Sequence, residues 1–136
     1  MAFTTTPVSS IALSTEPVSG MLIKYDQDDV IDVIVTNVDG TVDLMQGLGD
    51  GTFAPPESLL LGVGFVTAVE SADLNGDQVM DLIIMTLPGI VGGGETRVMF
   101  SDGLGNFNLS STLFPPANAV AVADLNGDTV TDMVLA

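Results

Sequence analysis

A nine-residue pattern that occurs three times constrains this chain more than any other feature. Asp73-Leu74-Asn75-Gly76-Asp77-Gln78-Val79-Met80-Asp81 returns as Asp124-Leu125-Asn126-Gly127-Asp128-Thr129-Val130-Thr131-Asp132, each copy preceded by an alanine. A weaker copy runs from Lys24 to Asp32, and the closing aspartates of the three lie 49 and 51 residues apart. A second marker keeps the same phase: Gly49-Asp50-Gly51-Thr52-Phe53 matches Gly103-Leu104-Gly105-Asn106-Phe107, and Phe3 stands 50 residues before Phe53. Self-similarity at a fixed period of this size marks a repeat architecture in which no single unit buries its own apolar face. The chain therefore reads as one repeat domain over 1–136, with a repeat over 3–52, a second over 53–106 and a partial third over 107–136.

Local signals within each repeat are those of strands. Val30–Val35, Met80–Met85 and Val130–Leu135 are short, rich in β-branched residues and bounded by Asp and Gly. Thr41–Met45 and Thr96–Phe100 alternate apolar with polar, as half-exposed strands do. No window carries a convincing helical period. The expected fold is all-β, with about four strands per ~50-residue period, the unit of a β-propeller blade.

The repeated loops carry the chemistry. Asp73, Asn75, Asp77 and Asp81, at spacings of two, two and four, offer four side-chain oxygens around a tight turn, and the carbonyl of Val79 offers a fifth. Asp124, Asn126, Asp128, Val130 and Asp132 offer the same set. An oxygen-only, carboxylate-rich set suits Ca²⁺ first and Mg²⁺ or Mn²⁺ less well. Three carboxylates crowded together repel, each pair at 4 Å by roughly 4 kcal/mol at an effective dielectric of about 20. Ten of the eighteen acids lie in the three loops, a concentration that solubility alone does not explain. The competing reading is turn chemistry, since Asx-turns and glycine close such loops without an ion. In the first loop Asp26, Asp28, Val30 and Asp32 keep the ligand positions while Lys24 replaces the first Asp, so an ammonium paired with Asp28 and Asp32 can fill part of a cation's place. The loop is no EF-hand: it lacks the Glu at position twelve and is flanked by strands. Its sixth residue is Asp29, Gln78 or Thr129 where glycine is usual, and a positive φ there strains the β-branched Thr129 by about 1–2 kcal/mol.

Composition removes other functions. The chain has no His and no Cys, which excludes Ser–His and Cys–His nucleophile pairs and thiolate or imidazole metal sites. Two basic residues, Lys24 and Arg97, against a formal charge of −16 argue against nucleic acid or an anionic membrane as partner. No apolar run reaches the ~20 residues that a spanning helix needs. A metal-dependent hydrolase is disfavoured because loops of this type close around their ion, and the chain is not expected to be an enzyme.

Ala-Asp-Leu-Asn-Gly-Asp followed by Asp81-Leu82 or Asp132-Met133, in phase with Gly-x-Gly-x-Phe, resembles the FG-GAP/VCBS repeat, the Ca²⁺-binding blade of integrin α-like propellers and of secreted bacterial repeat proteins. The resemblance implies that each loop joins the first two strands of a four-stranded blade. It also implies a structural role for Ca²⁺ and an extracellular setting. With two repeats and part of a third, a lone chain falls short of the four to eight blades of a propeller. Self-assembly into a homo-oligomer that closes the ring is the favoured expectation, ahead of a fragment of a larger propeller that binds glycan or protein, lectin- or adhesin-like, or a short open array. Function is then that of a Ca²⁺-stabilised structural and binding scaffold.

Overall fold

The computed structural model describes residues 13, 15–60, 64–87 and 94–136; Phe3, on which the first repeat is phased, lies outside them. A first sheet joins β1 (Pro17–Ile23), β2 (Asp32–Asn37), β3 (Val42–Met45) and β4 (Glu57–Leu60) in that order. A second repeats the plan with β5 (Phe65–Ala72), β6 (Asp81–Leu87), β7 (Thr96–Ser101) and β8 (Phe107–Leu109), and a third pairs β9 (Val120–Ala123) with β10 (Asp132–Leu135). Every pairing is antiparallel. Among the described residues there is no helix, and so none long and apolar enough to cross a membrane. The chain is all-β and built of repeated antiparallel sheets, consistent with propeller-type blades.

Each four-stranded sheet draws its last strand from residues after the Phe marker, β4 following Phe53 and β8 starting at Phe107. The second strands begin one or two residues later than the sequence pattern alone places them. The reason is local: the backbone N–H groups of Val30 and Val130 are taken by the Asp28 and Asp128 carboxylates at 2.8 Å each, which holds these residues in the turn.

The third strands differ from expectation in burial. All four residues of β3 are buried, and most of β7 is too. Asp43 tolerates this because both its oxygens are satisfied, by Ser58 Oγ at 2.6 Å and Asn37 Nδ2 at 2.7 Å. Ion pairing uses both cations of the chain: Lys24 with Asp29, and Arg97 with Glu95.

The core cluster joins Ile23, Ile34, Val42 and Leu44 of the first sheet to Val66, Leu82, Ile84 and Met99 of the second. Ile34 stands opposite Leu44, and Leu82 opposite Met99, so each pair shares a face. In the repeat register Leu82 and Ile84 correspond to Val33 and Val35, the neighbours of Ile34 that point the other way. Unlike faces of successive sheets therefore meet, which is how blades stack around a ring. The position of Ile34 recurs as Ile83 and Val134, with exposures of 1%, 0% and 48%. The third sheet leaves that face open.

Candidate metal centre

Each repeated loop connects the first two strands of its sheet: Lys24–Asp32 between β1 and β2, Asp73–Asp81 between β5 and β6, Asp124–Asp132 between β9 and β10. Its shape comes from carboxylates accepting the loop's own N–H groups. Asp73 Oδ1 takes the N–H of Gly76 at 2.7 Å and of Asp77 at 3.1 Å, and its Oδ2 takes that of Gln78 at 2.8 Å. Asn75 Oδ1 takes the Asp77 N–H at 2.9 Å and Asp77 Oδ1 takes that of Val79 at 2.8 Å. Asp124, Asn126 and Asp128 repeat this pattern on Gly127, Asp128, Thr129 and Val130. Glycine at the fourth position answers a backbone demand: Gly76 and Gly127 both have φ +81° with open space where a Cβ would stand.

The sixth residue keeps the left-handed conformation in all three copies without a glycine: φ is 64° at Asp29, 69° at Gln78 and 72° at Thr129. The strain expected at Thr129 is thus present in the backbone.

The closing aspartate does a separate task. Asp81 is fully buried; its Oδ2 accepts the Leu74 N–H at 2.9 Å and its Oδ1 the Ser101 N–H at 3.0 Å, tying the loop to the end of β7. Asp32, also fully buried, does the same with Tyr25 at 3.4 Å and Gly47 at 2.8 Å. Asp132 accepts only the Leu125 N–H, at 2.9 Å. Burial, and then the nearby charges of Asp77 and Asp73, push the Asp81 carboxyl above the usual carboxylate range; burial likewise raises Asp32, helped by Asp26 and Asp28.

The first loop departs from its expected pairing. Lys24 Nζ reaches Asp29 Oδ1 at 2.8 Å, an exposed contact, instead of Asp28 and Asp32. The reason lies in the partners: Asp28 Oδ1 is held by the Val30 N–H and Asp32 is sealed behind Tyr25 and Gly47, while the left-handed Asp29 projects outward.

Sequence reasoning did not single out what holds this loop to the second sheet. Tyr25 stacks on Phe107 with ring centroids 5.6 Å apart, and its carbonyl accepts the Ser101 hydroxyl at 3.0 Å across 76 residues of chain. Burial, then the charges of Asp26, Asp32 and Asp28, push the Tyr25 phenol up to about 12. The available signal was that Tyr25 stands at the loop position where the other two copies have Leu74 and Leu125.

The donor set is chemically right for a hard cation: all oxygens, mostly carboxylate, and an oxygen that accepts one N–H keeps a second lone pair. Its arrangement is that of a loop closed on itself. Among the described residues no group of three or more acidic side chains is gathered as a metal cluster, and Asn75 Nδ2 points at Asp77 Oδ2, 2.9 Å away. Hydrogen bonds of this kind are the turn chemistry named above, and they account for the loop's shape. They leave the like-charge pressure on Asp81 in place.

No curated protein matches the chain. Residues 24–84, from the first loop through the second and into β6, match the model of the FG-GAP-like repeat. Over that stretch, which holds two of the loops and the sheet between them, the chain is similar to the FG-GAP-like repeat.

Proposed function

We infer that this β-propeller-type module is a Ca²⁺-stabilised scaffold that works by binding and assembly and not by catalysis, in an extracellular setting. The observation that carries the reading is the threefold recurrence of one acidic loop at the same sheet corner, with the field of Asp73 and Asp77 falling on the buried Asp81. A cation held by Asp73, Asn75, Asp77, the Val79 carbonyl and Asp81, with the set from Asp124 to Asp132 as its counterpart, supplies the positive charge these carboxylates lack. In the first loop Asp26, Asp28, Val30 and Asp32 are the corresponding candidates. Millimolar external Ca²⁺ matches sites of this exposed kind. The test is thermal unfolding in EDTA and in millimolar Ca²⁺ or Mg²⁺. A rise in melting temperature with Ca²⁺ that exceeds the rise with Mg²⁺ supports the reading, and no Ca²⁺ effect removes it.

Self-association into a closed ring is the second part of the proposal. Among the described residues it is supported by the exposed position of Val134 on β10, whose described partner is β9. Light scattering on the 136-residue chain decides it, since a strictly monomeric mass refutes assembly.

A ligand-binding role, with glycan or protein as the ligand, draws on one further observation. A groove of about 600 Å³ lies between the first and second loops, with Leu22, Ile31 and Met80 beside Gln27, Gln78, Asp26 and the Lys24–Asp29 pair. Apolar surface with a few convergent polar groups is the usual make-up of a binding site. A glycan and peptide array probed with labelled chain, with Met80→Glu as the blocked control, tests it.

A further inference from the structure

We propose that Asn126 is a deamidation site of the folded chain and that Asn75, in the same local sequence, is its protected counterpart. Both residues sit in Ala-Asp-Leu-Asn-Gly-Asp and precede a glycine, and no other asparagine of the chain does. The chemistry needs no partner but water. The glycine backbone nitrogen attacks the asparagine Cγ, losing its proton to solvent; the new N–C bond closes a succinimide, and the Cγ–Nδ2 bond breaks to release ammonia. Water then opens the ring at one carbonyl or the other, giving aspartate or isoaspartate. Glycine matters because a side chain on the attacking residue obstructs ring closure, and nothing stands within 4 Å of where a Cβ would lie on Gly76 or Gly127.

The fold treats the two copies differently. At Asn75 the leaving amide is held: Nδ2 donates to Asp77 Oδ2 at 2.9 Å while Oδ1 accepts the Asp77 N–H. At Asn126 only the second of these bonds is made, with the Asp128 N–H at 2.8 Å. Anchorage around the copies differs in the same sense. Val79 is 9% exposed and Val130 43%. Asp81 ties its loop to two backbone N–H groups, and Asp132 ties its loop to one. The glycine N–H of each copy is occupied by the first aspartate, at 2.7 and 2.6 Å, so reaction in either copy requires the loop to open. Opening is easier where fewer anchors hold. Reaction at Asn126 then adds a carboxylate to a loop with three already, or, as isoaspartate, lengthens the main chain there by one carbon.

Identical local sequences give an internal control. The chain is aged at neutral pH in EDTA, folded and in denaturant, and both peptides are followed by mass spectrometry with separation of isoaspartate. In denaturant the two rates are equal. In the folded chain Asn126 reacts faster than Asn75 by roughly tenfold or more, the factor expected from one additional hydrogen bond to a charged acceptor. Asp77→Ala, which frees the Asn75 amide, moves Asn75 toward the Asn126 rate. Equal rates in the folded chain, or a faster Asn75, overturn the proposal.

Discussion

Asp81 is the residue whose removal tests most directly how these loops are held. Asp81→Ala, measured in EDTA so that no cation contributes, leaves the N–H groups of Leu74 and Ser101 without their acceptor at a site with no solvent exposure. An unsatisfied buried donor costs about 1–3 kcal/mol, so the buried Ser101 N–H and the half-buried Leu74 N–H together cost about 2–5. Against this, the substitution removes a carboxylate that burial and its neighbours disfavour in charged form. A net loss of about 3 kcal/mol is expected, which lowers the melting temperature by roughly 10 °C in a domain of this size. Asp132→Ala removes one bond from an exposed loop, where water replaces it, and costs about 1 kcal/mol or less. Circular dichroism melts of the two variants beside the parent decide the matter. Equal shifts for both variants, or a rise for Asp81→Ala, would refute the reasoning. The pH dependence has a definite sign. Because its carboxyl is raised in the fold, Asp81 binds a proton more tightly folded than unfolded, so in EDTA its share of stability declines as pH rises from the ordinary carboxylate range through the raised value. Asp81→Asn removes that share of the slope and leaves the one due to Asp32.

Thr129→Gly relieves a β-branched residue at φ 72° and is expected to stabilise by about 1 kcal/mol after the entropy of the added glycine, with Gln78→Gly gaining less; a fall in melting temperature for Thr129→Gly rules out the strain. Tyr25 is the sole tyrosine in a chain without tryptophan, so ultraviolet absorbance follows its ionisation alone, with a midpoint expected near the value of about 12. Between pH 10 and that midpoint the unfolded chain gives up the phenol proton first, so stability falls by roughly 3 kcal/mol, and a midpoint at the ordinary tyrosine value disproves the burial. Lys24→Asp restores the acid found in the other two copies: in EDTA it lowers the melting temperature by adding a charge beside Asp26, Asp28 and Asp29, and with Ca²⁺ it recovers more than the parent does. No added Ca²⁺ response removes the first loop from the candidate sites.

Strand runs and loop positions were legible in the sequence, because each rests on spacing within a single copy. Asp73 to Asp81 and Asp124 to Asp132 form the loops that their spacing implies, with the left-handed sixth residue where the pattern puts it. What spacing does not carry is which partner a group meets across the fold. The buried Asp43 looked like the polar half of an alternating strand, since its partner Ser58 lies fifteen residues away on another strand. Lys24 was expected to face Asp28 and Asp32, because charge order along a loop does not say which carboxylates the backbone has already claimed. The tie from Ser101 to Tyr25 spans 76 residues and leaves no local mark.

The three closing aspartates, taken together, separate two roles that the sequence pattern merges. All three stand in register and all three accept the N–H of the loop's second residue, so that bond belongs to the loop itself. Asp32 and Asp81 also accept an N–H near the end of a third strand, from Gly47 and Ser101, and they alone are fully buried. Burial therefore follows the second bond. A carboxylate drawn into a dry site by two backbone donors is oriented, but it keeps a charge that its loop neighbours oppose. Orientation without neutralisation is a reason to expect a cation, and it is strongest at Asp81, where the loop also keeps Asp73, Asn75 and Asp77. At Asp132 the ligand types are the same but the second anchor is absent, so any ion there meets a looser loop. If Ca²⁺ binds both, the second loop should hold it more tightly than the third.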